Sequence, residues 1–138
     1  MLNSGGEIVE KIFICSRLRG NNNQELHDNI VKVKRYCRKV ALMKKIPIAP
    51  HAYFTGFLDD TVGRERQLGM TMGRYLIDIC DRMYVITNGE ISNGMDLEIR
   101  RATRLGIPIE YYTEEELMNM EEGEDNEQEQ KQTDETTA

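Results

Sequence analysis

Short apolar runs alternate with amphipathic stretches along residues 11–112 of this chain. Four runs are continuous and rich in β-branched or aromatic residues, which is typical of buried strands in a parallel sheet. Between them, apolar residues recur every three or four positions, which predicts helices. The predicted strands are 11–15, 46–50, 81–86 and 107–112, and the predicted helices are 24–44, 61–80 and a third that carries Glu98. This alternation predicts an α/β domain whose parallel sheet has helices on both faces.

The second predicted helix, 61–80, follows a long loop at 51–60. Its apolar residues fall at helical spacing, so we expect them on one face of the helix, turned toward the core. These residues are Leu68, Met72, Tyr75, Leu76 and Ile79.

A polar turn at 92–96 separates the third predicted strand from the helix that carries Glu98. This order places Glu98 about one turn into the helix, near the carboxyl edge of the sheet, where open α/β folds bind ligands. Helical spacing also puts Glu98 on or beside an apolar face formed by Met95, Ile99, Ala102 and Leu105. A carboxylate rarely points inward without a reason, so Glu98 is the first candidate for chemistry. The alternative is that Ser92 or Asn93 simply caps the helix and Glu98 faces solvent.

The 138 residues suffice for one ordinary domain. We divide the chain into a lead-in at 1–10, a domain at 11–113 and an acidic tail at 114–138. The tail has eleven Asp and Glu against one Lys, which predicts disorder and a solubilising role, with a regulatory or nucleic-acid-mimicking role as the alternative. Its charge of −10, against −6 for the whole chain, leaves about +4 on residues 1–113. This mildly basic body suits an anionic small molecule, and it lacks the basic helix that predicts nucleic-acid binding.

The cysteines and histidines bear on the cellular compartment of the protein and on whether it binds a metal. Three cysteines without CxxC spacing, no signal peptide and no apolar run of membrane-spanning length predict a cytoplasmic protein with reduced thiols. The two histidines, His27 and His51, have no companion ligands at zinc-like spacing. We therefore expect no metal and no membrane span.

Several motifs within residues 11–112 resemble the nucleoside 2-deoxyribosyltransferase-like superfamily. Segment 92–98, SNGMDLE, matches the family's Ser/Gly turn followed by a Glu, with the same spacing as in its 2-deoxynucleoside 5-phosphate N-hydrolase branch. Segment 14–20, ICSRLRG, is similar to that branch's Cys-Gly-Ser-Ile-Arg-Gly turn, and segment 48–60 resembles an uncharacterised phage and bacterial subfamily. The resemblance implies a flavodoxin-like (Rossmann-like) parallel sheet of four or five strands, and a homo-oligomer, because the family forms dimers or larger rings.

The resemblance implies that Glu98 is the nucleophile at the anomeric carbon. It would form a glycosyl-enzyme ester that water or a second base resolves with retention. The helix N-terminus is expected to keep the carboxylate ionised at neutral pH. Backbone N–H groups of Ser92, Asn93 and Gly94, with the Ser92 hydroxyl, would hold a 5-phosphate or a sugar hydroxyl, and Met95 belongs to the same substrate-binding turn. Gly94 lets the ligand approach the backbone closely.

The loop after the first strand is the second expected part of the site. Arg17 and Arg19 present guanidinium donors that match phosphate oxygens, and the Arg19-Gly20 pair carries the direct motif match, so we favour Arg19. Ser16 and Gly20 are grouped with them as substrate-binding residues. The alternative is an exposed loop without a ligand.

The segment after the second strand supplies further candidates. Tyr53 or Phe54 would stack on a nucleobase, and His51 would donate a proton to it. A hydrogen bond that fixes the loop is an equally good role for His51. Asp59 and Asp60 are candidate acids, or they cap the next helix.

One position departs from the family's pattern. Enzymes of this group usually have an Asp eight residues before the Asp that opens the third strand, where it helps to protonate the departing base or to hold the sugar. Counting back from Asp81 gives Gly73. A nucleobase is a poor leaving anion, so the loss of this acid would slow cleavage unless another group replaces it. The candidate replacements are Asp59, Asp60, Asp78 and His51.

These observations favour one function and leave two alternatives. The first hypothesis is an N-glycosidic enzyme, a hydrolase or a deoxyribosyltransferase, that acts on nucleosides or nucleotides and needs no cofactor because a carboxylate does the covalent work. The second, supported by Gly73, is a non-catalytic nucleotide-binding protein that senses or sequesters a nucleotide-derived ligand. The third, a purely structural oligomer, would leave Glu98 exposed and no cleft for a nucleotide.

Overall fold

A four-stranded parallel sheet forms the centre of the computed structural model, which describes residues 9–123. All three strand pairs are parallel, and the order across the sheet is β2-β1-β3-β4. The strands are β1 (Lys11–Cys15), β2 (Ile46–Ile48), β3 (Arg82–Ile86) and β4 (Ile109–Tyr112). The predicted flavodoxin-like α/β fold is confirmed. Because the chain runs from β1 outward to β2 and then returns to the other side of β1, the carboxyl ends of β1 and β3 flank a crevice.

Helices cover both faces of this sheet, as the alternating pattern predicts. Helices α1 (Asn23–Leu42) and α5 (Glu114–Met118) pack on one face, and α3 (Gly63–Ile77) and α4 (Asn93–Leu105) pack on the other. A short helix, α2 (Pro50–Tyr53), and a 3₁₀ turn (Phe54–Gly56) occupy much of the predicted loop at 51–60. No helix among residues 9–123 is both long enough and apolar enough to cross a membrane.

Two apolar cores lie above and below the sheet. Ile12 and Ile14 of β1 face α1, whereas Phe13 and Cys15 face α3 and α4, because successive strand side chains point to opposite faces. Strand β3 alternates in the same way. Both strands are therefore buried on both faces, which explains why their sequences are continuous apolar runs.

Helix α3 turns a different face to the core from the one that its apolar spacing predicts. Its buried residues are Gly73 and Ile77. A Cβ atom on Gly73 would lie 3.0 Å from Cβ of Pro50, so α3 approaches α2 through its glycine side. This close contact with α2 sets the orientation of α3 about its axis. The predicted inward face was therefore wrong for three residues, which are exposed: Leu68, Tyr75 and Ile79.

The loop between the 3₁₀ turn and α3 corrects another prediction. The N-cap of α3 is Val62, which makes no side-chain capping bond. Asp59 instead accepts hydrogen bonds from the backbone N–H and the hydroxyl of Thr61, at 2.9 and 2.6 Å. Neither Asp59 nor Asp60 is the N-cap, because the chain makes this local turn before the helix begins.

The first part of the predicted disordered tail is ordered. Helix α5 begins with a capping box between Thr113 and Glu116, and Leu117 is fully buried against α1. The Lys39 ammonium of α1 donates to the Met120 carbonyl at 2.6 Å and pairs with Glu122 at 3.1 Å. The acidic composition of segment 114–138 gives no sign of these contacts. The rest of the predicted tail, 124–138, and residues 1–8 of the lead-in lie outside the described residues.

Candidate functional site

A cleft of about 470 Å³ opens at the carboxyl ends of β1 and β3. Its walls are the loop after β1, the segment from α2 through the 3₁₀ turn, one side of α3 and the first turns of α4. The cleft lies where the strand order reverses, which is where open α/β sheets bind ligands. Its volume is within the range of small-molecule sites.

Glu98 lies in the wall of this cleft with only 8% of its surface exposed. Helix α4 begins at its N-cap Ser92, whose hydroxyl oxygen accepts a hydrogen bond from the Met95 N–H at 3.3 Å. Glu98 is therefore in the second turn and points inward, as its spacing from Met95 predicts. Its Oε1 atom is fully buried and has no hydrogen-bond partner among the described residues.

The ionisation of Glu98 differs from the expectation. Burial raises the pKa of Glu98 to about 8, although a hydrogen bond from the Cys15 thiol and the charge of Arg74 oppose the rise. Removal from water disfavours a charged carboxylate, and the helix-dipole effect falls off beyond the first turn. The prediction of an ionised Glu98 at neutral pH was wrong for the ligand-free site, where most molecules hold the proton.

Ser16 is the second buried polar residue of the cleft that lacks a partner. It is 5% exposed, and its Oγ atom makes no hydrogen bond to any described residue. Within residues 9–123, buried side-chain oxygen or nitrogen atoms without a partner occur only in Ser16 and Glu98, and both residues line the cleft. An unpaired buried polar group costs about 1–3 kcal/mol, so its presence calls for an explanation. A polar ligand in the cleft supplies one.

The two arginines of the β1 loop line the cleft but bind different partners. Arg19 donates to the carbonyl oxygen of Asp60 at 2.9 Å and to its carboxylate at 3.1 Å. Arg17 lies 3.7 Å from the exposed carboxylate of Glu90. Gly20 has φ of +65°, and a side chain there would collide with Glu25. Arg19 therefore joins the β1 loop to the segment before α3, and the predicted two-arginine phosphate clamp is not preformed.

His51 adopts the loop-fixing role that was the alternative to proton donation. Its Nε2 atom lies 3.0 Å from the Ser16 carbonyl oxygen, which only accepts, so Nε2 carries the hydrogen. Burial lowers the pKa of His51, although the Ser16 bond and the charge of Asp60 oppose the change. The ring is therefore neutral at pH 7, and Nδ1 is an acceptor that lacks a proton to donate.

The aromatic residues after β2 are divided between the cleft and the surface. Phe54 lines the cleft, whereas Tyr53 is exposed and lies outside its lining. The ring centroids of Tyr53 and Phe54 are 5.2 Å apart in an edge-to-face contact, and Phe57 completes the cluster. Phe54 can contact a base directly, but Tyr53 reaches the cleft only through Phe54. The turn that begins α4 lines the cleft as expected, with Ser92, Asn93, Gly94 and Met95.

The missing family acid has no replacement at its own position. Gly73 lines the cleft, and its contact with Pro50 leaves little space for any side chain. Asp78 lies outside the cleft lining and binds Arg101 with two hydrogen bonds of 3.0 and 2.6 Å. Asp59 is likewise outside the lining. Of the candidate replacements, Asp60 and His51 line the cleft.

Sequence reasoning missed two arginines of α3 that line the cleft, Arg66 and Arg74. The spacing of eight residues between them, with Gly73 adjacent to Arg74, was the available signal. It was obscured because the apolar residues of α3 suggested another orientation. No cluster of His, Cys, Asp and Glu suited to a metal ion is found within residues 9–123.

Comparisons with known proteins support the fold and name a family. The model of a family described as a domain of unknown function (DUF7768) matches residues 10–112, a range that contains the whole cleft. No curated protein matches the chain. Among solved structures, a 2-deoxyribosyltransferase from Bacillus psychrosaccharolyticus is similar with a TM-score of 0.52 and 15% identity, over 75% of this chain and 72% of that one. At this identity the likeness concerns the fold.

Proposed function

This chain belongs to the family of the domain of unknown function DUF7768, and from its cleft we propose that it acts on the N-glycosidic bond of nucleosides or nucleotides. It is a hydrolase or a deoxyribosyltransferase that works through a glycosyl ester on Glu98. The observation that carries the proposal is the buried Glu98 carboxyl with a partnerless oxygen, in a cleft large enough for a nucleoside. The fold likeness to a 2-deoxyribosyltransferase supports it.

In the first step, ionised Glu98 attacks the anomeric carbon, and the bond between this carbon and the base nitrogen breaks with its electron pair on the base. The base takes up a proton from solvent water and leaves as a neutral molecule, because neutral His51 has its N–H on the Ser16 carbonyl and no proton to spare. With a pKa of about 8, only a minor fraction of Glu98 is ionised at pH 7 in the free protein. The attacking form is therefore scarce but unsolvated, which makes it a reactive nucleophile.

In the second step, water or a second base attacks the glycosyl ester and frees Glu98. His51 assists water in this proposal, and the bond between its Nε2 hydrogen and the Ser16 carbonyl supports the role because it leaves the Nδ1 lone pair to accept a proton. Asp60, held by Arg19 at the cleft wall, accepts hydrogen bonds from sugar hydroxyls in this proposal. Phe54 contributes an apolar surface for the base.

A nucleotide-binding protein without catalysis is the second candidate, and two observations favour it. Gly73 leaves the usual position of the acid without a carboxyl. The raised pKa of Glu98, caused by burial, makes this residue mainly a hydrogen-bond donor at neutral pH. A protonated Glu98 and the Ser16 hydroxyl would then bind a ligand together without cleaving it.

The two candidates are separated by product analysis. The protein is incubated with a panel of 2-deoxynucleosides and their 5-phosphates at about pH 8, where Glu98 is half ionised. Free base is measured by chromatography, and the glycosyl ester is sought by mass spectrometry after an acid quench. Free base together with an added sugar mass on the peptide that contains Glu98 supports the enzyme. Tight binding without release supports the binding protein. The absence of both base release and binding would overturn both candidates.

The homo-oligomer that the family resemblance implies stays a prediction. Leu68 and Tyr75 of α3, with Ile79 just after the helix, form an exposed apolar surface that suits contact with a second copy. Sedimentation of the intact chain tests this point, and a monomer at all concentrations would contradict it.

A further inference from the structure

The α3 side of the cleft is built from glycines and arginines. Gly73 allows Pro50 to pack closely on the helix, and Gly69 lies beside Phe54 one turn earlier. Arg66 and Arg74 line the cleft from the same helix, eight residues apart, which corresponds to about 12 Å along the axis. Arg74 is half-buried and Arg66 is exposed, so their positions define an inner and an outer part of one wall.

These two guanidinium groups have no counterion among the described residues. Neither Arg66 nor Arg74 has an ion pair with any residue in the range 9–123, whereas Arg19 is bonded to Asp60. Arg74 lies close enough to Glu98 for its charge to oppose the rise in the pKa of that carboxyl. A half-buried cation without a counterion is costly unless a ligand supplies the negative charge.

The net charge of the cleft also favours an anionic ligand. Four arginines line it, against three carboxyl groups, of which Glu98 is mostly protonated at neutral pH because burial raises its pKa. The cleft is therefore positive, although the whole chain has a charge of −6. A site with this surplus attracts anions.

We propose that Arg74 and Arg66 form an anion-binding subsite on α3, with Arg74 as the inner contact, which binds a phosphate or carboxylate group of the ligand beside Glu98. Guanidinium groups suit both anions because their paired N–H donors match two oxygens at once. This subsite differs from the β1 loop and the α4 turn, where the sequence motifs predicted phosphate binding. It rests on the proposed function for the identity of the ligand, but not for its charge.

The test compares charged and uncharged versions of the same probe by titration calorimetry. The probes are thymidine and 2-deoxyadenosine, each as the free nucleoside, the 5-monophosphate, the 3-monophosphate and the 5-carboxylate. Inorganic phosphate serves as a competitor. The proteins are wild type, Arg74→Gln, Arg74→Lys, Arg66→Gln and the control Arg64→Gln, which changes an exposed arginine of α3 outside the cleft lining.

We expect Arg74→Gln to weaken at least one charged probe by about tenfold or more and the free nucleosides by less than about twofold. Arg66→Gln has a smaller effect of the same kind, Arg74→Lys restores part of the affinity, and Arg64→Gln changes nothing. The phosphate and carboxylate probes show which anion is preferred. An equal loss for charged and uncharged probes, or an equal effect of Arg64→Gln, would overturn the subsite.

Failure of the subsite and failure of the proposed function have different signatures. Base release that is indifferent to Arg74 would keep the function and remove the subsite. If no nucleoside or nucleotide binds to the wild type, the function fails, and inorganic phosphate alone decides the subsite. Phosphate binding that Arg74→Gln abolishes then supports it, and no phosphate binding overturns it. Circular dichroism of Arg74→Gln verifies that the variant is folded.

Discussion

Two ionisable side chains are buried to the same degree on opposite faces of the sheet, yet their surroundings are opposite. Lys39 of α1 is 7% exposed, and Glu98 of α4 is 8% exposed. Lys39 has two partners, the Met120 carbonyl and the Glu122 carboxylate, whereas Oε1 of Glu98 has none among the described residues. A buried charge with partners holds the structure together, and a buried polar atom without one is available to a ligand.

The presence or absence of partners distinguishes structural from functional burial in this fold. The α1 face is closed around Lys39, because the segment after β4 supplies the two oxygens that bind its ammonium. The α4 face is open, because α3 and the 3₁₀ turn stay far enough from Glu98 to leave a cleft of about 470 Å³. Substitutions on the two faces should therefore separate activity from stability.

The largest expected effect is on the cleft face. Glu98→Gln should reduce base release by about 10³-fold or more, since an amide of the same shape cannot form the glycosyl ester. Asp96→Asn is the matched control, because Asp96 is on the same helix but has a half-exposed side chain, lies outside the cleft lining and pairs with Arg100. Chromatography of the released base measures both variants. Equal activity of Glu98→Gln and wild type would remove Glu98 from the reaction.

On the α1 face, the expected effect is a loss of stability. Lys39→Met should lower the free energy of unfolding by about 2–3 kcal/mol, because the Met120 carbonyl and Glu122 lose their partner while the size of the side chain is nearly unchanged. Lys34→Met, at an exposed position of the same helix, should change it by less than about 0.5 kcal/mol. Urea unfolding measures both. Loss of base release in Lys39→Met without any loss of stability would contradict the structural role of Lys39.

The pH dependence of catalysis sharpens the account of Glu98. Since burial raises its pKa to about 8 and the nucleophile must be ionised, kcat/KM should rise by about fiftyfold between about pH 6 and pH 8. Initial rates across this range at low substrate concentration measure the profile. A rate that is already constant at about pH 6 would show that Glu98 is ionised there, contrary to its desolvated position.

The smallest expected effect is the response of stability to pH. The folded protein keeps the Glu98 proton up to about pH 8, whereas the unfolded chain releases it near the ordinary pKa of 4.5. Between these values the native state binds more protons, so a rise in pH removes stability. Glu98→Gln should therefore raise the free energy of unfolding by about 2 kcal/mol at about pH 6 and by less than about 0.5 kcal/mol at about pH 4.5. Asp96→Asn should not show this dependence, and equal behaviour of the two variants would contradict it.

Much of the fold follows from local patterns. The continuous apolar runs of β1 and β3 and the helical spacing of α1 and α4 predict the parallel sheet, because they record burial that each element needs on its own. The position of Glu98 follows from its spacing to Met95 within one helix. The prediction of a disordered tail was wrong at Leu117. A single buried residue in an acidic segment leaves no periodic pattern in the sequence that would indicate its burial.

The protonation state and the ion pairs of the site do not follow from such local patterns. The sequence predicted an ionised Glu98 from its nearness to a helix N-terminus, but burial by residues of other elements has the larger effect on its pKa. The partner of Arg19, Asp60, is 41 residues away along the chain. Arg66 and Arg74 became part of the cleft only through the rotation of α3 about its axis.

The order of elements, the parallel sheet and the inward direction of Glu98 follow from local sequence, because they depend on spacing within single strands and helices. Three features depend instead on tertiary packing: the two partners of Lys39, the proton on Glu98 and the glycines and arginines that α3 turns toward the cleft. Desolvation, ion pairing and close packing depend on which distant segments meet, and this information is spread over the whole chain.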